Sequence, residues 1–88
     1  MWPFKRKIPI DECIMVWING RGSSFGYDIA AGLNISSGTL YPALQHLEDI
    51  GKISSNWEDT PLPRRRMYYL SAFGKATLEQ QYKERYRK

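Results

Sequence analysis

The hydrophobic pattern changes its period at Gly51, and this change limits most strongly what the chain can fold into. Before Gly51, apolar residues recur every three or four positions, which is typical of amphipathic helices. After it, they alternate with other residues in the segments 52–58 and 65–71, which is typical of strands. The two prolines between these segments cannot donate to a strand ladder, so residues 59–64 are predicted to be the loop of a hairpin.

Three helices are predicted before the hairpin and one after it. The first covers residues 10–19 and the second about residues 26–32, with turn formers between them. The third begins after a cap at Ser36 or Ser37 and ends at Gly51. Ser71 can cap the last helix, which runs from about residue 72 almost to the end of the chain. In the first helix, a stripe with helical spacing is expected to be buried: Ile10, Cys13, Ile14, Trp17 and Ile18.

Three helices followed by a hairpin give the element order of the winged helix-turn-helix fold, which is mainly α with a small β-hairpin. In that fold, the third helix enters the major groove of DNA and the hairpin forms the wing. We therefore expect an N-terminal basic and aromatic arm over residues 1–9, a winged-helix domain over residues 10–71, and a dimerising C-terminal helix over residues 72–88.

Length and charge indicate one small domain with a polyanionic partner. The chain has 88 residues and a net charge of +4, and its basic residues cluster at 5–7, at 64–66 and in the C-terminal tail. Its single cysteine, Cys13, excludes an intrachain disulfide and a thiolate metal site, and we expect no metal or other cofactor. No apolar run reaches the roughly 20 residues that span a bilayer, and the start lacks a secretory pattern, so we expect a cytoplasmic protein without membrane contact.

The third helix has an unusual outer face for a helix exposed to water. At about 100° per residue, one side is apolar and is expected to be core: Leu40, Ala43, Leu44, Leu47 and Ile50. The opposite side lacks the usual lysines and glutamates, and it carries Gly38, Tyr41, Pro42, Gln45, His46 and Asp49, with Thr39 at its edge.

Most residues of this outer face suit a nucleic-acid surface. Gln45 can form paired hydrogen bonds with an adenine edge, and Thr39 and Tyr41 can donate to phosphate oxygens. His46 offers a further donor to a base or to the backbone, and with no second histidine or nearby cysteine it is not expected to bind a metal. Asp49 would be repelled by phosphates, so we expect it to point away from the duplex.

The start of the third helix is also predicted to contact DNA. Ser36, Ser37 and Gly38 suit a phosphate, because the positive end of the helix dipole attracts anions. Pro42 belongs to the same predicted surface, but it lacks an N–H and would clash with the carbonyl of Gly38 in a helix that began fully there. Either the regular helix begins nearer residues 39–41, or its first turn is irregular.

The three adjacent arginines of the hairpin have two interpretations. Arg64, Arg65 and Arg66 could form a solvated run of charges, or they could contact phosphates or the minor groove. Their position in a hairpin that follows a predicted recognition helix favours the contact with DNA.

Three segments resemble the winged-helix domain of PadR-like transcriptional regulators: FGYDIA (25–30), SSGTLYPALQHLEDIGKISSNWE (36–58) and RRRMYYLSAFGKATL (64–78). The resemblance implies a dimeric DNA-binding repressor of a prokaryotic cell or its mobile element, with Tyr41 and its neighbours at the DNA backbone and the wing beside them. The chain departs from many relatives in two ways. One C-terminal helix is predicted where relatives usually carry a further helical region, and the stretch MWPFKRKIPI differs from their leucine-rich opening.

Other functions remain open at this stage, although an enzyme is not predicted. The sequence contains no nucleophile–base pair, glycine-rich phosphate loop or acidic metal cluster. The main prediction is a homodimer that binds double-stranded DNA at a palindromic site. The alternative is a docking module for other proteins, in which the last-helix stripe of Leu78, Tyr82 and Tyr86 binds a partner; in the first case that stripe is predicted to dimerise. A small aromatic effector held between tryptophan-bearing surfaces of a dimer is a further hypothesis.

Overall fold

The computed structural model describes residues 8–58 and 65–86, without the side chain of Tyr86. Its elements follow the predicted order with one added strand: α1 (Ile10–Arg21), β1 (Ser24–Phe25), α2 (Gly26–Leu33), α3 (Ser37–Asp49), β2 (Ile53–Trp57), β3 (Arg66–Leu70) and α4 (Ala72–Tyr86). The predicted hairpin loop, which includes Arg64, and residues 1–7 of the predicted N-terminal arm lie outside the described residues.

The sheet has three antiparallel strands in the order β1-β3-β2, where the sequence predicted a hairpin alone. β2 and β3 form the expected hairpin, called the wing below, with Ile53 opposite Leu70 and Trp57 opposite Arg66. β1 pairs with the other edge of β3 through Ser24 and Phe25. A strand of two residues is too short for an alternating pattern, so its pairing could not be predicted. The pairing of β1 with β3 attaches the start of α2 to the wing.

The core lies where α1, α2 and α3 meet the sheet. The side chains below 2% exposure come from all of these elements: Ile14, Met15, Ile18, Ile29, Leu40, Leu44, Leu47 and Ile53. The expected burial of Cys13 in α1 is confirmed, whereas Ile10 and Trp17 are half-buried. The prediction for Ile50 is wrong, because α3 ends at Asp49 and Ile50, in a non-helical cap position, is 41% exposed.

The start of α3 answers the question that Pro42 raised. The helix begins at Ser37 and contains Pro42. The alternative that the regular helix begins nearer residues 39–41 is therefore wrong. The carbonyl of Ser36 accepts from the N–H groups of both Thr39, at 3.1 Å, and Leu40, at 2.9 Å, so the first turn is tightened. Since Pro42 has no N–H, the carbonyl of Gly38 lacks its usual helical donor.

The last helix is tied to the rest of the domain at both ends. As predicted, Ser71 caps it, because its Oγ accepts from the N–H of Gly74 at 3.0 Å. Gly74 packs so closely against the turn after α3 that a Cβ there would lie 1.9 Å from the carbonyl oxygen of Lys52. Near the other end, Arg85 forms a bidentate pair with Glu12 of α1, whose side chain is buried. α4 is therefore part of the packed domain.

Candidate nucleic-acid interface

The N-terminal end of α3 is an exposed polar surface. The Oγ of Ser36 accepts from the backbone N–H of Thr39 at 3.2 Å and lies 3.2 Å from its Oγ1. Ser37 and Gly38 are also exposed, and a Cβ placed on Gly38 would meet only the Oγ of Ser36, at 3.9 Å. This end of the helix can approach a phosphate closely, and its backbone N–H groups and dipole favour an anion.

Tyr41 joins the outer face of α3 to the start of α2. Its side chain is 45% exposed, and its hydroxyl lies over Gly26, where an added Cβ would be only 2.6 Å away. A larger residue at position 26 would therefore displace the tyrosine ring. Pro42, the next residue, is exposed on the same helix.

Two further polar side chains of this face, Gln45 and His46, lie close to carboxylates. The amide Nε2 of Gln45 donates to Oδ1 of Asp49 at 2.8 Å, so the amide is oriented with its NH2 group towards the acid. The Nε2 of His46 lies 3.9 Å from Oδ2 of Asp11, at the start of α1. Asp49 is exposed one turn after Gln45, and its carboxylate orients the Gln45 amide group. The predicted DNA contacts of Gln45 and His46 stay predictions.

The two described wing arginines are folded against their own domain. The guanidinium carbon of Arg65 lies 4.2 Å from the ring centroid of Phe25, and its Nη1 donates to the hydroxyl of Tyr27 at 3.2 Å. Its Nη2 lies 4.0 Å from Glu58. The side chain remains 37% exposed, so part of it faces solvent. Arg64, the third arginine of the predicted contact, lies outside the described residues.

Arg66 has a different set of partners, which link the wing to α3. Its Nη2 lies 3.8 Å from Oε2 of Glu48, and its guanidinium lies 5.4 Å from the ring of Trp57. The same carboxylate oxygen accepts from the Oγ of Ser55 at 2.9 Å. Glu48 thus connects the last turns of α3 to both wing strands.

These side chains surround a cleft of about 400 Å³ between α2, α3 and the wing, called the wing cleft below. It is lined by Phe25, Gly26, Tyr27, Tyr41, Trp57, Arg65, Arg66 and Tyr68. Burial raises the pKa of Tyr68 above its ordinary value of 10.0, although Arg66 acts in the opposite direction, so this hydroxyl stays protonated at neutral pH. Two guanidinium groups and several tyrosine hydroxyls make a hydrogen-bonding surface next to the outer face of α3.

Sequence reasoning missed five residues of this cleft: Phe25, Gly26, Tyr27, Trp57 and Tyr68. None of them was predicted to lie near the arginines. Trp57 is 53% exposed at the end of β2. The available signal was the Phe25–Gly26–Tyr27 segment directly after a cluster of turn formers, which indicates a helix start without showing that the wing returns to it.

The predicted dimerisation stripe divides into residues with different surroundings. Leu78 packs partly against the core of its own chain, so it supports the fold. Tyr82 is 63% exposed on α4. The side chain of Tyr86 lies outside the described part of the chain. A dimer contact through this stripe stays a prediction.

Trp17 lies beside a second surface depression and contacts its own chain on several sides. Its Nε1 donates to the Oγ of Ser24 at 3.2 Å, and the guanidinium of Arg21 lies 3.3 Å from its ring. The ring also covers Gly32, where a Cβ would overlap it. An open depression of about 590 Å³ lies beside it. The hypothesis of an aromatic effector gains no defined binding pose from these contacts.

None of the helices in the described ranges combines the length and the hydropathy needed to cross a bilayer. In the same ranges, no group of three or more His, Cys, Asp or Glu side chains is placed to hold a metal ion.

Residues 14–80 match the sequence model of the transcriptional regulator PadR-like family, which is more than half of the chain. The chain belongs to the PadR-like family. No curated protein matches it. PadR-like proteins are winged-helix, DNA-binding transcriptional regulators, so membership confirms the fold class and the regulator class predicted from the sequence.

Solved structures agree with the assignment to the PadR-like family. A transcriptional regulator from Clostridium thermocellum shares 28% identity at a TM-score of 0.76, over 85% of this chain and 80% of that one. A PadR family regulator from Clostridium difficile also shares 28%, at a TM-score of 0.74, over 86% of each chain. MarR from E. coli, solved with operator DNA, shares only 16%, at a TM-score of 0.75, over 84% of this chain and 52% of that one, so it supports the fold alone.

Proposed function

We propose that this PadR-like protein is a sequence-specific regulator of transcription that represses by binding a palindromic operator in double-stranded DNA as a homodimer. The observation that carries the proposal is the wing cleft, in which Tyr41 of α3 adjoins Arg65 and Arg66 of the wing. The proposed recognition helix and the wing thereby offer one continuous surface that carries two guanidinium groups. The net charge of +4 and pI near 9.4 favour the same polyanionic partner.

Each proposed contact has a distinct role. Ser36, Ser37, Gly38, Thr39 and Tyr41 meet phosphates and fix the register of the helix, which carries no sequence information by itself. Gln45 and His46 reach base edges in the major groove and supply the specificity. Pro42 lines the same face, and Arg64, Arg65 and Arg66 contact the backbone beside the groove.

In the proposed homodimer, two copies of this small domain bind one operator together. Two copies of α3 that enter successive major grooves lie about 34 Å apart, which matches half-sites one helical turn apart. The proposed contact between copies includes α4, on which Tyr82 is exposed. A solved PadR family transcription regulator shares this fold, which supports the regulator class of the proposal.

Selection of bound sites from a random pool of duplex DNA tests the proposal. We expect one enriched sequence with two-fold symmetry, and a protein–DNA complex with two chains for each duplex. An enriched sequence without symmetry would contradict the homodimer on a palindrome. Failure to enrich any sequence would contradict sequence-specific binding.

The alternative is a winged-helix module that docks on another protein and has no specific affinity for DNA. The exposure of Tyr82 at 63% and of Phe73 at 55%, both on α4, is the observation in its favour. Two measurements separate these functions: sedimentation, which gives the oligomeric state, and the affinity for duplex DNA at several salt concentrations. A monomer whose affinity for duplex DNA does not depend on salt favours docking, whereas a dimer with a steep salt dependence favours the regulator.

A further inference from the structure

Arg65 lies where the described part of the wing meets its loop, and its side chain returns to the start of α2. The backbone N–H of Glu58 donates to the carbonyl of Arg65 at 2.7 Å, which closes the hairpin at this point. From there the guanidinium reaches Phe25 and Tyr27, which flank the junction of β1 and α2. The contact therefore spans 38 residues of sequence and joins the wing to the helix that precedes α3.

Two kinds of contact define the orientation of this guanidinium. Its flat face lies over Phe25, and an N–H at its edge donates to the hydroxyl of Tyr27. An arginine side chain can use both at once, because the group is planar and its donors lie in the plane. The rings of Phe25 and Tyr27 are parallel within 3°, with centroids 5.9 Å apart, so the two aromatic residues form one support.

The support has a definite position because β1 is paired with the wing. Phe25 lies opposite Met67, two residues after Arg65 on the same face of the strand segment. Phe25 and Arg65 are thus diagonal neighbours across the two strands, close enough for a long side chain and an aromatic ring to interact. Tyr27 follows in the first turn of α2.

We infer that Tyr27 is a positioning residue for DNA binding that acts through Arg65. This inference rests on the proposed function, in which Arg65 contacts a phosphate. Nη1 donates to Tyr27, the Nε is enclosed, and Nη2 lies 4.0 Å from Glu58, beyond hydrogen-bond distance, so the remaining Nη donors of a group still 37% exposed are those that meet the phosphate. Because Tyr27 and Phe25 already hold the guanidinium, binding loses less side-chain freedom than it would for a mobile arginine.

Motion of the Arg65 side chain in the free protein gives the first test. In protein labelled with ¹⁵N-arginine, relaxation of the Arg65 Nε–H reports its order on the picosecond to nanosecond timescale. We expect an ordered side chain in the wild type, and a clear loss of order in Tyr27→Phe. The matched control is Tyr69→Phe, which removes a hydroxyl that accepts from Asn56 at 3.0 Å in the same wing, and it should leave Arg65 ordered. Equal mobility of Arg65 in the wild type and in Tyr27→Phe would overturn the inference.

A double-mutant cycle on DNA affinity gives the second test, with a labelled duplex that carries the selected site. Tyr27→Phe should weaken binding by about two- to tenfold, the range expected for freeing one long side chain. It should have no further effect in Arg65→Ala, because the residue through which it acts is gone. The salt slope should fall by about one in Arg65→Ala and stay unchanged in Tyr27→Phe.

The outcomes of the cycle separate this inference from the proposed function. If Tyr27→Phe weakens binding equally with and without Arg65, Tyr27 contacts DNA independently and the inference is overturned, while the regulator stands. If Tyr27→Phe leaves the affinity for DNA unchanged, the inference is overturned, and the proposed function again stands. If the wild type has no salt-dependent affinity for any duplex, the proposed function fails and the positioning role fails with it.

Discussion

The guanidinium of Arg85, near the end of α4, pairs in bidentate fashion with the carboxylate of Glu12 in the first turn of α1. Glu12 is only 6% exposed, so its carboxylate is buried against this partner. The first-turn position of Glu12 already favours an acid because of the helix dipole. Together these features make the pair the polar link between α1 and α4.

Removal of Arg85 should destabilise the fold markedly. Arg85→Ala leaves the Glu12 carboxylate buried without its cation, and we expect a loss of roughly 2–4 kcal/mol in the free energy of unfolding. Urea denaturation measures it. Lys83→Ala, an exposed cation on the same helix, is the control and should change stability by less than about 0.5 kcal/mol. Equal effects of the two variants would contradict the structural role of the pair.

Two glycines should respond in opposite ways to alanine. At Gly74 the new Cβ would lie 1.9 Å from the backbone oxygen of Lys52, so α4 or the turn must shift, at a cost of about 1–3 kcal/mol. At Gly20, inside α1, a Cβ meets no atom within 4 Å, and alanine should stabilise the helix by up to about 1 kcal/mol. Thermal unfolding compares them, and a stable Gly74→Ala protein would contradict the close approach of α4.

Cys13 should be unreactive in the folded protein. Burial raises the pKa of its thiol above the ordinary value of 9.0, and the neighbouring Glu12 acts in the same direction. Because the folded state holds this proton more tightly, its contribution to stability is complete below pH 9.0 and is lost as the pH rises above that value. An aromatic disulfide reagent at pH 8 should label the thiol only after denaturation. Rapid stoichiometric labelling of native protein would refute the burial argument.

Asp49 should influence base selectivity through Gln45. The amide of Gln45 is turned by its hydrogen bond with Asp49, so Asp49→Ala frees it while it also removes a negative charge from the outer face of α3. We expect Asp49→Ala to bind non-specific DNA more tightly and to discriminate less at one base pair of each half-site. Gln45→Ala should lose about 1–3 kcal/mol of discrimination at that same pair. Binding to a panel of single-base operator variants measures both, and unchanged selectivity in both variants would exclude Gln45 from base recognition.

The element order was predictable because each helix and strand signals itself locally. The repeat of leucines in α3, the serine caps at Ser36 and Ser71, and the change of period at Gly51 all act within a few residues. The structure therefore differs little from the expectation in where elements begin and end. Even for the helix start near Pro42, the sequence left two alternatives, a later start or an irregular first turn. The structure has the second, with a tightened first turn.

Contacts between distant segments were beyond sequence reasoning. The burial of Glu12 depends on Arg85, which lies 73 residues away, and the strand β1 exists only because β3 is there to pair with it. The wing arginines show the same limit. Three adjacent arginines indicate positive charge, whereas the return of Arg65 to Tyr27 depends on tertiary packing.

The salt dependence of DNA binding tests the central claim most directly, with the wild type compared with Arg64→Ala/Arg65→Ala/Arg66→Ala on the selected duplex and on an unrelated one. We predict a steep loss of wild-type affinity with rising salt, and a variant that binds both duplexes more weakly with a slope smaller by about one for each lost phosphate contact. A variant that binds as tightly as the wild type at every salt concentration would contradict the assignment of the wing to DNA.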